Sequence, residues 1–247
     1  MKRYVGIYTL LWMCLCMISC QQKQVPEILQ KHKDLASFTG LTKDVQVVPL
    51  FNGKDISKWY TYIDSLGANA PQEEAVIALE DGVLHFGGPF MGYLCTKDSY
   101  KNYYLKVVFR WGEKKYPPRE NTKRDSGVLY HFPTGATDRI WPNSIECQIQ
   151  EEDCGDYYFV NGAYADSPNK GNVEWGQQHI VRTANYENPG QEWNVIEIIC
   201  VDNKSEHYVN GHLVNEAYNL SNAEGRILLQ LEGAEIYYKT VDLIVLK

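Results

Sequence analysis

A chain of 247 residues with 31 acidic side chains against 24 basic ones carries a net charge of −7. Without a basic stripe it lacks the means to neutralise phosphates, which excludes nucleic-acid binding as a function class and points to a neutral partner. The length suits one β-sandwich or two small domains, and no break in composition divides it.

The first residues read as an address. Lys2 and Arg3 precede an apolar run over 4–18, and Met17-Ile18-Ser19-Cys20 has the form of a lipobox. Cleavage removes 1–19 as a signal peptide and leaves Cys20 as the lipidated first residue, a membrane anchor made of several acyl chains. The competing reading, an uncleaved spanning helix, needs roughly 20 apolar residues and the run is shorter. Gln21 in place of aspartate is similar to bacterial lipoproteins of the outer membrane; the periplasmic face is expected, with the cell surface as the alternative. Residues 20–43 form a tether with a short helical stretch over 28–38, and 44–247 form a single domain. Cys95, Cys147, Cys154 and Cys200 remain in it; buried thiols and a Cys147–Cys154 bridge both stay open, and the spacing matches no zinc pattern.

Beyond residue 45, short β-branched and aromatic runs alternate with turn signals. Strands are predicted at 76–79, 83–86, 92–96, 103–111, 126–132, 144–150, 193–201, 205–209, 212–214, 226–231 and 236–245. Asp81-Gly82 and Asn210-Gly211 suit hairpin turns, whose central positions need positive φ. About a dozen short strands give an all-β sandwich or jelly roll. Two stretches break the rhythm, 112–125 and 153–191; loops of that length are commonly functional, and the second reads as the wall or lid of a cleft.

Alternation then selects side chains. Glu146, Gln148 and Gln150 share one strand face, opposite Ile145, Cys147 and Ile149. Such a row is either a solvated face or a sugar platform. Arg110 shares a face with Lys106 and Val108, and His131 one with Leu129 and Gly127. There is no His-Glu-x-x-His, Cys-x-x-Cys or calcium loop, which leaves a cross-strand set of Glu146, Glu232, His131 and Asp153 as the candidate for a divalent cation. No Gly-x-Gly-x-x-Gly turn occurs, so no nucleotide cofactor is expected. Nor is there a serine elbow. Glu146-Cys147-Gln148-Ile149-Gln150-Glu151 has glutamine where laminarinase-like hydrolases need aspartate.

Phe51-Asn52-Gly53-Lys54-Asp55-Ile56-Ser57-Lys58-Trp59 opens an ordered set of segments. It continues with Glu80-Asp81-Gly82-Val83-Leu84, Tyr104 to Trp111, Asp125-Ser126-Gly127-Val128, Ile145 to Ile149, Glu192-Trp193-Asn194, Val209-Asn210-Gly211 and Gly225 to Gln230. Together these resemble the 3-keto-disaccharide hydrolase domain family over 46–247. The resemblance implies a concanavalin A-like β-sandwich with long loops around a concave face, and a glycoside whose C3 hydroxyl has already been oxidised by a separate sugar 3-oxidoreductase. It implies C2 proton abstraction and β-elimination at C1, with hydration to follow. Glu146 and Gln148 occupy the family's glutamate-any-glutamine positions and Gln230 a family glutamine. Arg110 aligns with a family arginine, while Asp125, His131, Gln150 and Glu232 depart from the pattern, Glu232 replacing a histidine. On this reading Glu146 is base or acid and Glu232 the second acid–base group. Arg110 or a divalent cation faces the enolate oxygen, and Gln148, Gln230, His131 and Trp141 orient the sugar. The alternative is a lectin-like module that holds a carbohydrate on Trp59, Trp141, Trp175 or nearby tyrosines without cleaving it.

Overall fold

The computed structural model describes residues 47–69 and 76–246; Cys20, the signal peptide and the tether lie outside them. In chain order the strands are β1 (Val47–Phe51), β2 (Trp59–Ile63), β3 (Gly67–Ala68), β4 (Ile77–Glu80), β5 (Val83–Phe86), β6 (Met91–Thr96), β7 (Tyr103–Lys115), β8 (Gly127–Phe132) and β9 (Ser144–Gln148), followed by β10 (Tyr157–Val160), β11 (Gly171–Glu174), β12 (Gln177–Ile180), β13 (Asn194–Val201), β14 (Lys204–Val209), β15 (His212–Tyr218), β16 (Arg226–Glu232) and β17 (Ala234–Val245). Among the described residues there is no helix.

They form two antiparallel sheets. One runs β15-β14-β13-β7-β17-β5-β4, with β1 also on β17; the other runs β11-β12-β10-β9-β8-β16-β6-β2-β3. Period two sets the inner faces. Leu105, Val107, Phe109 and Trp111 of β7 meet Ile145 and Cys147 of β9, Val128 and Tyr130 of β8, and Ile227, Leu229 and Leu231 of β16 in one core. Burial of each large side chain there stabilises by about 1.5–3 kcal/mol. The outer face of the nine-stranded sheet carries its own apolar floor, made by Tyr93, Cys95, Leu129, Phe132, Val160 and Leu228.

Several expectations are corrected. The stretch 153–191 is not one long loop: β10, β11 and β12 lie inside it and extend the sheet beyond β9. Trp59 is a core residue whose indole N–H donates to the Leu50 carbonyl at 2.7 Å, so it offers no sugar platform. His131 does not share a face with Leu129. Its φ of 59° and the register shift between β16 and β8 make a bulge that turns the ring inward, edge-on to Tyr103 and Tyr130. Of the two alternatives left open for the cysteines, buried thiols are the one found: Cys95, Cys147, Cys154 and Cys200 are all free and buried.

Candidate functional site

A cleft of about 630 Å³ lies on the outer face of the nine-stranded sheet. Because Ile145 and Cys147 point into the core, Glu146 and Gln148 point into the cleft, and by the same parity Gln230 and Glu232 of β16 do so beside Leu228. Trp141 lines it from the β8–β9 connection. Sequence-predicted Glu146, Gln148, Gln230, Glu232 and Trp141 therefore converge from separate strands.

Arg110, His131 and Asp153 do not join them. Arg110 leaves the core strand β7 on the far side of the other sheet, where its guanidinium lies 4.2 Å from the Tyr237 ring centroid and 5.3 Å from that of Trp193. His131 is held in the core by a 2.9 Å contact between Nδ1 and the Asn222 carbonyl, and burial lowers its pKa to about 4. Asp153 is paired to Lys123 at 2.6 Å and to Arg182 at 3.1 Å. The four-residue cation site is thus not assembled, and among the described residues no group of three or more His, Cys, Asp and Glu is arranged to hold a metal ion.

The cation at the carboxylates is Arg119, from the loop after β7. It is ion-paired to Asp125 at 2.5 Å and to Glu232. Asp125 also accepts a 2.7 Å hydrogen bond from the Gln150 amide, while its Oδ1 is buried with no partner. Glu146 is 5% exposed, and its Oε1 likewise has no hydrogen-bond partner. The carboxyl lies over Gly127, where a Cβ would stand 2.1 Å from Oε1. Only a glycine leaves that space.

Three carboxyl groups thus lie near one guanidinium, which is paired with two of them. Burial, then Asp125 and Glu232, push Glu146 well above the usual carboxylate range against the pull of Arg119. Burial and Glu232 push Asp125 up to about 8, and burial raises Glu232, again against Arg119. Not all three ionise near neutral pH. Glu146, which has no ion pair, keeps its proton, Asp125 largely keeps its own, and Glu232 at Arg119 takes the negative charge. A carboxylic acid beside a carboxylate is the equipment of acid–base catalysis.

The opposite wall comes from the hairpin β11–β12, which supplies Glu174, Trp175 and Gln177. Tyr158 of β10, the register partner of Glu146, donates to Glu174 Oε2 at 2.9 Å and stacks on His179 at 4.3 Å. Arg119, Tyr158 and Gln177 were not singled out in sequence. The charges after Pro117-Pro118 in an overlong loop were the signal available for Arg119; Tyr158 and Gln177 gave none.

A profile of the 3-keto-alpha-glucoside-1,2-lyase-like domain matches residues 46–244. No curated protein matches the chain at a significant level. Among solved structures, a candidate glycosyl hydrolase from Parabacteroides distasonis aligns with a TM-score of 0.58 at 20% identity, over 87% of this chain and 97% of that one. A second from the same organism aligns with 0.54 at 20%, over 81% and 100%. The β-glucanase of Bacillus licheniformis gives 0.53 at 13%, over 82% and 98%. At these identities the likeness shows the fold, a concanavalin A-like jelly-roll sandwich.

Proposed function

The chain belongs to the 3-keto-alpha-glucoside-1,2-lyase-like domain family and is a carbohydrate-active protein; from that premise we propose that it cleaves 3-keto-glycosides by β-elimination. The C3 carbonyl acidifies the C2 proton. Glu232, kept available as a carboxylate by Arg119, removes that proton, and the Arg119 guanidinium faces the oxygen on which the enolate charge develops. The C1–O bond then breaks, and Glu146 gives its proton to the departing oxygen. Water adding across the new double bond, hydroxyl to C1 and proton to C2, completes a net hydrolysis. Gln148, Gln230 and Trp141 orient the ring.

The observation that carries this reading is the buried, unpaired Glu146 beside two carboxyl groups, Asp125 and Glu232, that share one guanidinium. Oxidation of the substrate to its ketone belongs to a separate sugar 3-oxidoreductase. Lipid at Cys20 tethers the domain to the outer membrane on its periplasmic face. The test is aglycone release from a 3-keto-glucoside and its unoxidised parent, with and without a chelator. Release from the ketosugar alone supports the reading, and chelator sensitivity adds a cation at the enolate oxygen. Sugar binding with no release from either substrate makes the protein a non-catalytic carbohydrate-binding lipoprotein.

A further inference from the structure

The cleft is longer than its carboxylates. It extends over β12, β10, β9, β8 and β16, five neighbouring strands, and four steps of about 4.8 Å make roughly 19 Å. Asp125, Glu146, Glu232 and Arg119 occupy the half over β9, β8 and β16. The half over β10 and β12 has no part in the chemistry above.

That second half has features that the fold does not explain. Trp175 is 85% exposed at the tip of the β11–β12 hairpin and lines the cleft. Its φ is 51° and that of Gly176 is 75°, the two left-handed positions of a tight hairpin turn. Asn, Asp or Gly fill the first such position without difficulty, whereas a bulky aromatic there opposes folding. An exposed ring at a strained position is a feature kept for contact with something outside the fold. Beside it, Gln177 lines the cleft with its Oε1 buried and without a partner, an acceptor that calls for a donor from a ligand.

The platform is also held in place. Glu174, next to Trp175, accepts from the Tyr158 hydroxyl at 2.9 Å and contacts His179 Nδ1 at 2.9 Å, while His179 Nε2 contacts Asp156 at 2.8 Å. Tyr158 lies flat on His179, 6° from parallel. The chain Tyr158–Glu174–His179–Asp156 thus ties the hairpin to β10, whose Tyr158 sits directly opposite Glu146.

We infer that the β11–β12 hairpin is the leaving-group subsite: the ketosugar ring lies over β9–β16, and the group expelled from C1 lies over β10–β12, stacked on Trp175 with a hydroxyl donating to Gln177. The inference rests on the elimination reading for the polarity of the cleft. A flat aromatic face with one open acceptor suits a polyhydroxylated ring, and the acidic surroundings disfavour an anionic leaving group.

Two 3-keto-glucosides test it, one with a methyl and one with a glucosyl leaving group, on the full protein, Trp175→Ala and Gln177→Ala. Val173→Ala, on the same hairpin but outside the cleft, serves as control. Trp175→Ala is expected to raise KM for the glucosyl substrate about tenfold more than for the methyl one, the loss of roughly one stacking contact with a second ring. Gln177→Ala shifts the same ratio in the same direction, and Val173→Ala leaves it unchanged. Calorimetric binding of the unoxidised disaccharide reads the subsite without chemistry, and Trp175→Ala weakens it by a similar factor. If neither ketosugar is turned over but this binding difference stands, elimination fails, and the hairpin is kept as a sugar-binding subsite while its assignment to the leaving group falls. If both are turned over and Trp175→Ala affects them equally or not at all, the subsite is overturned and elimination is kept.

Discussion

Gly127→Ala places one methyl group against the carboxyl assigned as the acid. Gly127 begins β8 without a left-handed φ, so alanine is compatible with the backbone. The new Cβ would stand 2.1 Å from Glu146 Oε1 and 2.9 Å from its Cδ. The carboxyl must retreat by roughly 1 Å to restore an ordinary contact. Because the crowded atom ends a flexible side chain, the stability cost should sit near the lower end of overpacking, about 1 kcal/mol. Catalysis is less forgiving, since misplacement by about 1 Å costs on the order of 10²-fold. Turnover of a 3-keto-glucoside should therefore fall about 10²-fold in kcat/KM while urea midpoints move little. In a Glu146→Ala background the clash disappears, and adding Gly127→Ala should then be neutral or stabilise by about 0.5–1 kcal/mol, the usual strand preference. A Gly127→Ala enzyme with unchanged kcat/KM would remove Glu146 from the mechanism.

Other expectations follow from the same cluster. The carboxyls of Glu146, Asp125 and Glu232 have folded pKa values above their unfolded ones, so their contribution is full below the unfolded values and is lost as pH rises. Thermal midpoints should accordingly decline between pH 6.5 and 8, and Glu146→Gln, which cannot ionise, should decline less; equal slopes would contradict the assignment of the proton. Arg119→Met leaves buried carboxylates without their cation and should cost about 3–5 kcal/mol, more at pH 8 than at pH 6, with loss of turnover. Arg110→Met loses only its ring contacts, worth about 0.5–1 kcal/mol, and should retain turnover; urea titration and the aglycone assay separate the two arginines. Cys95, Cys147, Cys154 and Cys200 should resist a thiol reagent in the native protein and react on unfolding without reductant.

The cleft was legible in the sequence where strand alternation and motif coincide. Ile145-Glu146-Cys147-Gln148 alternates cleanly, and Leu228 to Glu232 does the same on β16, so one face follows from the pattern. Alternation shows which side of its own sheet a residue occupies, not which sheet. Arg110 sits on the outer face of its strand, as the pattern indicates, but β7 belongs to the sheet away from the cleft. His131 failed for another reason: a single left-handed residue reverses the parity of everything after it, and histidine does not advertise one. The strands β11 and β12 were missed because Gly171–Glu174 is largely exposed and polar and Gln177–Ile180 is short, so neither carries an apolar period. Arg119 reaches the site through a loop, where no periodicity exists to be read.

The central claim, removal of the C2 proton before the C1 bond is lost, is tested most directly by running the reaction of a 3-keto-glucoside in deuterium oxide and examining C2 of the released sugar. The account predicts a product that has lost its C2 hydrogen as an unsaturated ketosugar, or carries deuterium there after hydration. Aglycone release with the original hydrogen still at C2 would contradict it.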